Sequence, residues 1–162
     1  MTAGPAPGVP VAGRYARRLW SVRHAATLAR VYALFERVLA KADPLFSRIG
    51  YQRLERPMAF VESRVKGALF DCRMCGQCAL SDTGLSCLMN CPKSLRNGPC
   101  GGVRADGRCE VLPDMPCVWV QAYEGAARLP GREAIPVLPA VDHRRLGTSS
   151  WLRRARDLGG AK

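Results

Sequence analysis

The chain has 162 residues, 48% of them hydrophobic, with 25 Lys and Arg against 13 Asp and Glu; the formal net charge is +12 and the sequence pI near 9.9. That hydrophobic share excludes wholesale disorder, and the apolar run from Ala134 to Val141 is broken by two prolines and falls far short of a membrane span. The charge leaves open nucleic acid, an anionic membrane surface or an acidic protein as partner.

Residues 1–13 are rich in Gly, Pro and Ala and read as a disordered leader. They lack a basic stretch ahead of an apolar one, so a secretory signal is not expected there. From Arg14 to about Ala42 there is no Pro or Gly. Arg14, Arg17, Ser21, His24, Thr27, Arg30, Arg37 and Lys41 recur near helical spacing, which predicts one long helix with a wide apolar face and a basic stripe. The stripe is read as a water-facing side of a core helix. Asp43-Pro44 is expected to end or kink it. A second helix is expected from about Pro57 to Leu69, with Pro57 in its first turn.

Residues 72–117 contain six Gly and four Pro and read as loop. Val118–Ala127 reads as a short helix or strand. Residues 128–147 read as extended, with Val137, Leu138 and Val141 able to pin them to a surface. Ser149–Leu158 is expected to form a helical turn or two, capped by Ser149 or Ser150. The fold class is therefore small α plus irregular. It has N-terminal helices over 14–70, a loop-rich Cys-ligated metal module over 71–125 and an extended Pro-containing docking tail over 126–162.

All eight cysteines fall between Cys72 and Cys117. The basic excess lies elsewhere: residues 1–71 carry +7, residues 72–117 carry +1 and residues 118–162 carry +4. A disulfide scaffold fits poorly, because Cys72, Cys75 and Cys78 sit on one short loop and no secretory signal is expected. The cytoplasm is the expected compartment. His24 and His143 stand apart from the cysteines in sequence and are poor ligand candidates.

The spacing is Cys72-x2-Cys75-x2-Cys78, then Cys87-x3-Cys91-Pro92, then Cys100, Cys109 and Cys117. Clustered thiolates select zinc or iron–sulfur centres. A zinc ribbon uses two C-x2-C knuckles; here a triplet stands in place of the first, and a second separate knuckle is missing. Three thiolates within seven residues suit three corners of a [4Fe-4S] cubane, as in the bacterial ferredoxin run. Eight thiolates can fill two four-ligand sites: two [4Fe-4S] clusters, or one cluster plus Zn. A single cluster with spare cysteines stays open, as does the fourth ligand of the triplet. Gly76 and the turn Asn97–Gly102 could bring backbone N–H groups toward the sulfurs. Lys93 and Arg96 are read as solvated or as attracting an anionic donor or phosphate. Two filled centres would lower the net charge to about +8 and leave the cysteine segment near −3, counting about −2 per centre.

Cys75-Gly76-Gln77-Cys78, Cys91–Gly102, Gly107–Val111 and Cys117-Val118-Trp119 together resemble the methylenetetrahydrofolate reductase C-terminal domain family, which includes the small cysteine-rich subunit of acetogen-type reductases. The likeness is strongest over residues 68–125. Leu146–Trp151 is similar to the family's closing motif, with Arg153 and Arg154 where an Asn commonly follows. The resemblance implies an accessory iron–sulfur subunit of one-carbon, folate metabolism. It would stabilise a flavin-containing methylenetetrahydrofolate reductase subunit or pass it electrons, with a ferredoxin-like protein as a donor. It gives Cys72, Cys75, Cys78, Cys87, Cys91, Cys100, Cys109 and Cys117 a metal-binding role and assigns no catalytic, folate or flavin residue. Too short for a barrel with a flavin site, the chain reads as a non-catalytic subunit. The alternative reading is a zinc-binding structural or nucleic-acid-binding module with basic arms. It is weakened because aromatics do not interleave with the basic residues; no membrane partner is expected.

Overall fold

The computed structural model describes residues 11–131 and 134–160. Among them are five α-helices and no β-strand. In chain order these are α1 (Val11–Arg23), α2 (Ala25–Ile49), α3 (Tyr51–Phe70), α4 (Val118–Ala126) and α5 (Ser150–Gly159). Most of the expected leader lies outside the described residues; its last three residues already belong to α1. Among the described residues, no helix is long and apolar enough to cross a membrane.

The first helical stretch is two helices rather than one. The break falls at His24, whose backbone leaves the α region (φ −101°, ψ 22°). Its ring stacks on Trp20 at 4.7 Å and its Nδ1 lies 2.9 Å from the Trp20 carbonyl, which also keeps the His24 backbone N–H at 3.0 Å. Pro44 does not end α2, and α3 begins at Tyr51, so Pro57 lies inside it and not in its first turn. An interior proline costs about 3 kcal/mol; Pro44 and Pro57 are themselves exposed, and packing of the other faces of the two helices offsets the cost. Tyr32, Phe35 and Phe46 of α2 and Met58 of α3 close around Leu39, Trp151 and Ala155. The corner between α2 and α3 is Gly50, whose φ of 97° belongs to the region that favours glycine.

Two further cores tie the helices to the intervening chain. Ala25, Phe70, Leu80, Leu85 and Leu129 form one. Tyr15, Leu88, Met115, Trp119, Ala122 and Leu138 belong to the other. The polar stripe mostly faces water, with one correction. Ser21 is fully buried, and its hydroxyl donates to the Leu69 carbonyl at 2.5 Å, joining α1 to α3.

Between α3 and α4 the backbone forms turns, one 3-10 turn at Leu88–Asn90 and two isolated bridges, Val103 with Cys109 and Arg108 with Pro116. Residues 118–126 are helical, not a strand. Of the three expected tail pins only Leu138 is buried; Val137 is 93% exposed. Ser149 caps α5 by accepting from the Leu152 N–H.

Candidate metal centre

The site begins where α3 stops. Asp71 takes a left-handed conformation (φ 52°, ψ 48°) and returns its N–H to Gly67 and Lys66. Arg18 from α1 holds the Asp71 carboxylate at 2.5 Å. The chain then curls through two more positive-φ residues, Met74 (φ 47°) and Gly76 (φ 67°). This curl brings Cys72, Cys75 and Cys78 to one cavity, and Cys87, arriving from the next loop, lines it as well. Cys87 thus stands at the cavity of the triplet, whose fourth partner the spacing leaves open.

Several groups point at these sulfurs. The Met74 N–H lies 3.3 Å from Cys72 Sγ, and Arg96 Nη1 lies 3.7 Å from Cys75 Sγ. The neighbouring Cys87 thiol, with the Met74 N–H and the Lys66 charge behind it, brings the Cys72 thiol down to about 7 against the opposing effect of burial. Burial pushes the Cys75 thiol up. All eight cysteines are free thiols.

As the side chains stand, no three His, Cys, Asp or Glu among the described residues are drawn together closely enough to hold a metal ion. The donor set nonetheless fits a thiolate-ligated centre. Four soft ligands share one cavity, and donors face two of their sulfurs, as such centres require. Cys91, Cys100, Cys109 and Cys117 lie outside that cavity. Cys109 and Cys117 are buried beside Met115 and Trp119, while Cys100 is exposed. The Gly102 N–H lies 3.3 Å from Cys100 Sγ, as the glycine-rich turn suggested.

A charged network borders the cavity. Glu62 and Lys66, one turn apart on α3, are each 2% exposed and pair at 2.7 Å. Lys66 Nζ also reaches Ser150 Oγ at 2.7 Å, and Glu62 accepts from Ser149 Oγ and the Trp151 N–H. Glu62 therefore satisfies the N-terminus of α5 from another helix, where a carboxylate is favoured by the helix dipole. Burial opposes both charges. The Lys66 ammonium and the serine hydroxyls outweigh it for Glu62, whose carboxyl is held below its usual value. Cys78 and Glu62 outweigh it for Lys66, whose pKa is raised.

The tail straps the cysteine loop. Gly147 donates its N–H to Met74 O at 2.7 Å, and Asp142 donates its N–H to the Gln77 side chain at 2.8 Å. Arg153 donates to Gly76 O, so one of the two arginines standing at the family's Asn position reaches the loop between two thiols. A Cβ on Gly76 would lie 2.3 Å from both Arg145 O and Thr148 Oγ1, which requires glycine there. Arg96, read as solvated or anion-attracting, is instead 6% exposed, with its Nε donating to Pro139 O. Lys93 is exposed and paired with Glu110. The Glu62–Lys66 pair was not singled out from sequence. Its signal was two opposite charges at i, i+4 amid Val61, Val65 and Leu69.

A family model described as methylene-tetrahydrofolate reductase C terminal matches residues 51–143. The match takes in α3, all eight cysteines and α4, and stops before Leu146–Trp151. No curated protein and no solved structure matches the chain.

Proposed function

The chain belongs to the methylene-tetrahydrofolate reductase C-terminal family, and from that membership we propose that it is an accessory iron–sulfur subunit of a methylenetetrahydrofolate reductase. It docks on a flavin-containing catalytic subunit and relays electrons to it from a ferredoxin-like donor. The observation that carries this reading is the convergence of Cys72, Cys75, Cys78 and Cys87 on one cavity within the matched stretch. Those four thiols would hold a [4Fe-4S] cluster. A bound cluster supplies one-electron chemistry.

The chain's own residues supply the setting. The curl at 71–76 fixes the spacing of three thiols. The Met74 N–H and the Arg96 guanidinium donate toward sulfur and so favour its anionic form. Lys66 places a buried positive charge beside Cys78. The strap at 142–153 bonds to one side of the loop. Cys91, Cys100, Cys109 and Cys117 would hold a second centre, zinc or cluster. Burial of Cys109 and Cys117 in the core with Met115 and Trp119 favours a structural role for it.

The test is anaerobic purification of the full chain together with its reductase subunit. Iron and acid-labile sulfide are assayed, followed by electron paramagnetic resonance of the dithionite-reduced protein. About four irons per chain are expected if the second centre is zinc and about eight if it is a cluster, with about four irons and one signal lost in Cys75→Ser. A chain that takes up zinc alone after anaerobic iron–sulfide reconstitution would overturn the redox role.

A further inference from the structure

The outer face of α2 is apolar where a solvated helix would be polar. Val31, Leu34, Val38, Leu45 and Ile49 recur at helical separations and are each 41–61% exposed. Across from them on α3, Val61 and Val65 are 50% and 43% exposed. Between the two helices runs a groove of about 650 Å³, lined by Val31, Phe35, Val61, Val65 and Leu80 and reaching Cys78 of the thiol cavity. The apolar surface thus continues from that thiol through the groove and over the crest of α2. Contiguous exposed patches of this kind mark interaction sites.

Its far edge is charged. Arg30, Arg37, Lys41 and Arg48 are exposed. At about 100° per residue they fall in one row roughly 80° round the helix from the apolar crest. Among the described residues none of the four pairs with a carboxylate. An apolar centre with a one-sign rim selects a partner whose own rim carries the opposite sign. A second copy of this face supplies none: the two acids of α2, Glu36 and Asp43, are already bonded to Arg154 and Tyr51. A bilayer is flat and does not fill a groove.

We infer that the α2–α3 face docks the flavin-containing reductase subunit through an apolar patch on that subunit bordered by acidic residues, with the groove end at Cys78 inside the interface. This rests on the reading of that subunit as the partner. Docking and electron passage then share one face, because the partner covers the side of the thiol cavity that opens at Cys78.

The experiment measures binding of the full-length, metal-loaded chain to the co-produced reductase subunit, anaerobically, at several salt concentrations. Val31→Glu and Val65→Glu are expected to weaken binding at least tenfold, mainly through faster dissociation. Arg37→Glu with Lys41→Glu is expected to slow association and flatten the salt dependence. Tyr123→Ser, at an exposed aromatic residue of α4 outside the groove, should bind as the parent does. Iron content and helicity should be unchanged in all of them, and the charge-reversed variant keeps the test open if a groove variant fails to fold. A complex indifferent to both kinds of variant overturns this inference and leaves the proposed function standing. No complex with the parent chain overturns both. A dimer of the chain alone, or binding to phosphatidylglycerol vesicles, that is lost in the same variants assigns the face to that occupant and overturns the proposal.

Discussion

Glu62 and Lys66 are the residues whose chemistry is least replaceable outside the thiols. Removing one partner of a buried pair leaves the other charge without compensation, at a cost of about 3–5 kcal/mol. Glu62→Gln should therefore lower stability by that order in chemical denaturation. Glu62→Leu combined with Lys66→Met should cost less than Glu62→Gln alone. The pH dependence follows from the depressed Glu62 carboxyl. Its contribution is fully present above the ordinary carboxylate value of 4.5 and is lost as pH falls through the lower folded value. A Tm series from pH 6 to pH 3 should show this loss, and Glu62→Gln should remove that component of the slope. Gly76→Ala meets both a positive φ and the Arg145 and Thr148 oxygens. It should cost about 1–3 kcal/mol and reduce metal retention on gel filtration, since the strap cannot close on the loop.

At the scale of the helices, the prolines show what sequence pattern cannot weigh. The cap of α5 was readable to within one residue, because its signal is local, whereas Val118–Ala127 read equally as helix or strand. The course of α2 through Pro44 was not readable. It depends on Phe46 and Phe35 meeting a core built around Trp151, more than a hundred residues further on. Likewise the spacing puts Cys72, Cys75 and Cys78 on one loop, whereas the arrival of Cys87 at the same cavity depends on how the chain turns between Ala79 and Ser86. Thr83 bonds to the Ala79 and Ser86 carbonyls at 2.9 and 2.7 Å, and that tertiary turn has no spacing signature. Pro44→Ala restores an N–H to the helix and should raise stability by about 1–3 kcal/mol in denaturant titration, within the roughly 3 kcal/mol an interior proline costs. Pro57→Ala should do the same.

Over the whole molecule, two kinds of order coexist. Helices α2, α3 and α5 pack on apolar side chains and hold without the thiols. The segment between α3 and α4 has only turns, one 3-10 turn and isolated bridges, and segments of that kind lean on cross-links or metals for stability. Chelation under anaerobic conditions should therefore leave most of the far-ultraviolet helical signal intact. The same treatment should open the chain to trypsin at Lys93, Arg104 and Arg108, read by mass spectrometry; a global loss of helicity would contradict this division. The strap carries a consequence for biogenesis. The thiol loop at 72–78 is bonded to Asp142, Gly147 and Arg153, and a ribosome makes those residues after every cysteine. On the proposed reading, a copy truncated before Asp142 is expected to take up less iron in anaerobic reconstitution than the full chain, although it retains all eight cysteines.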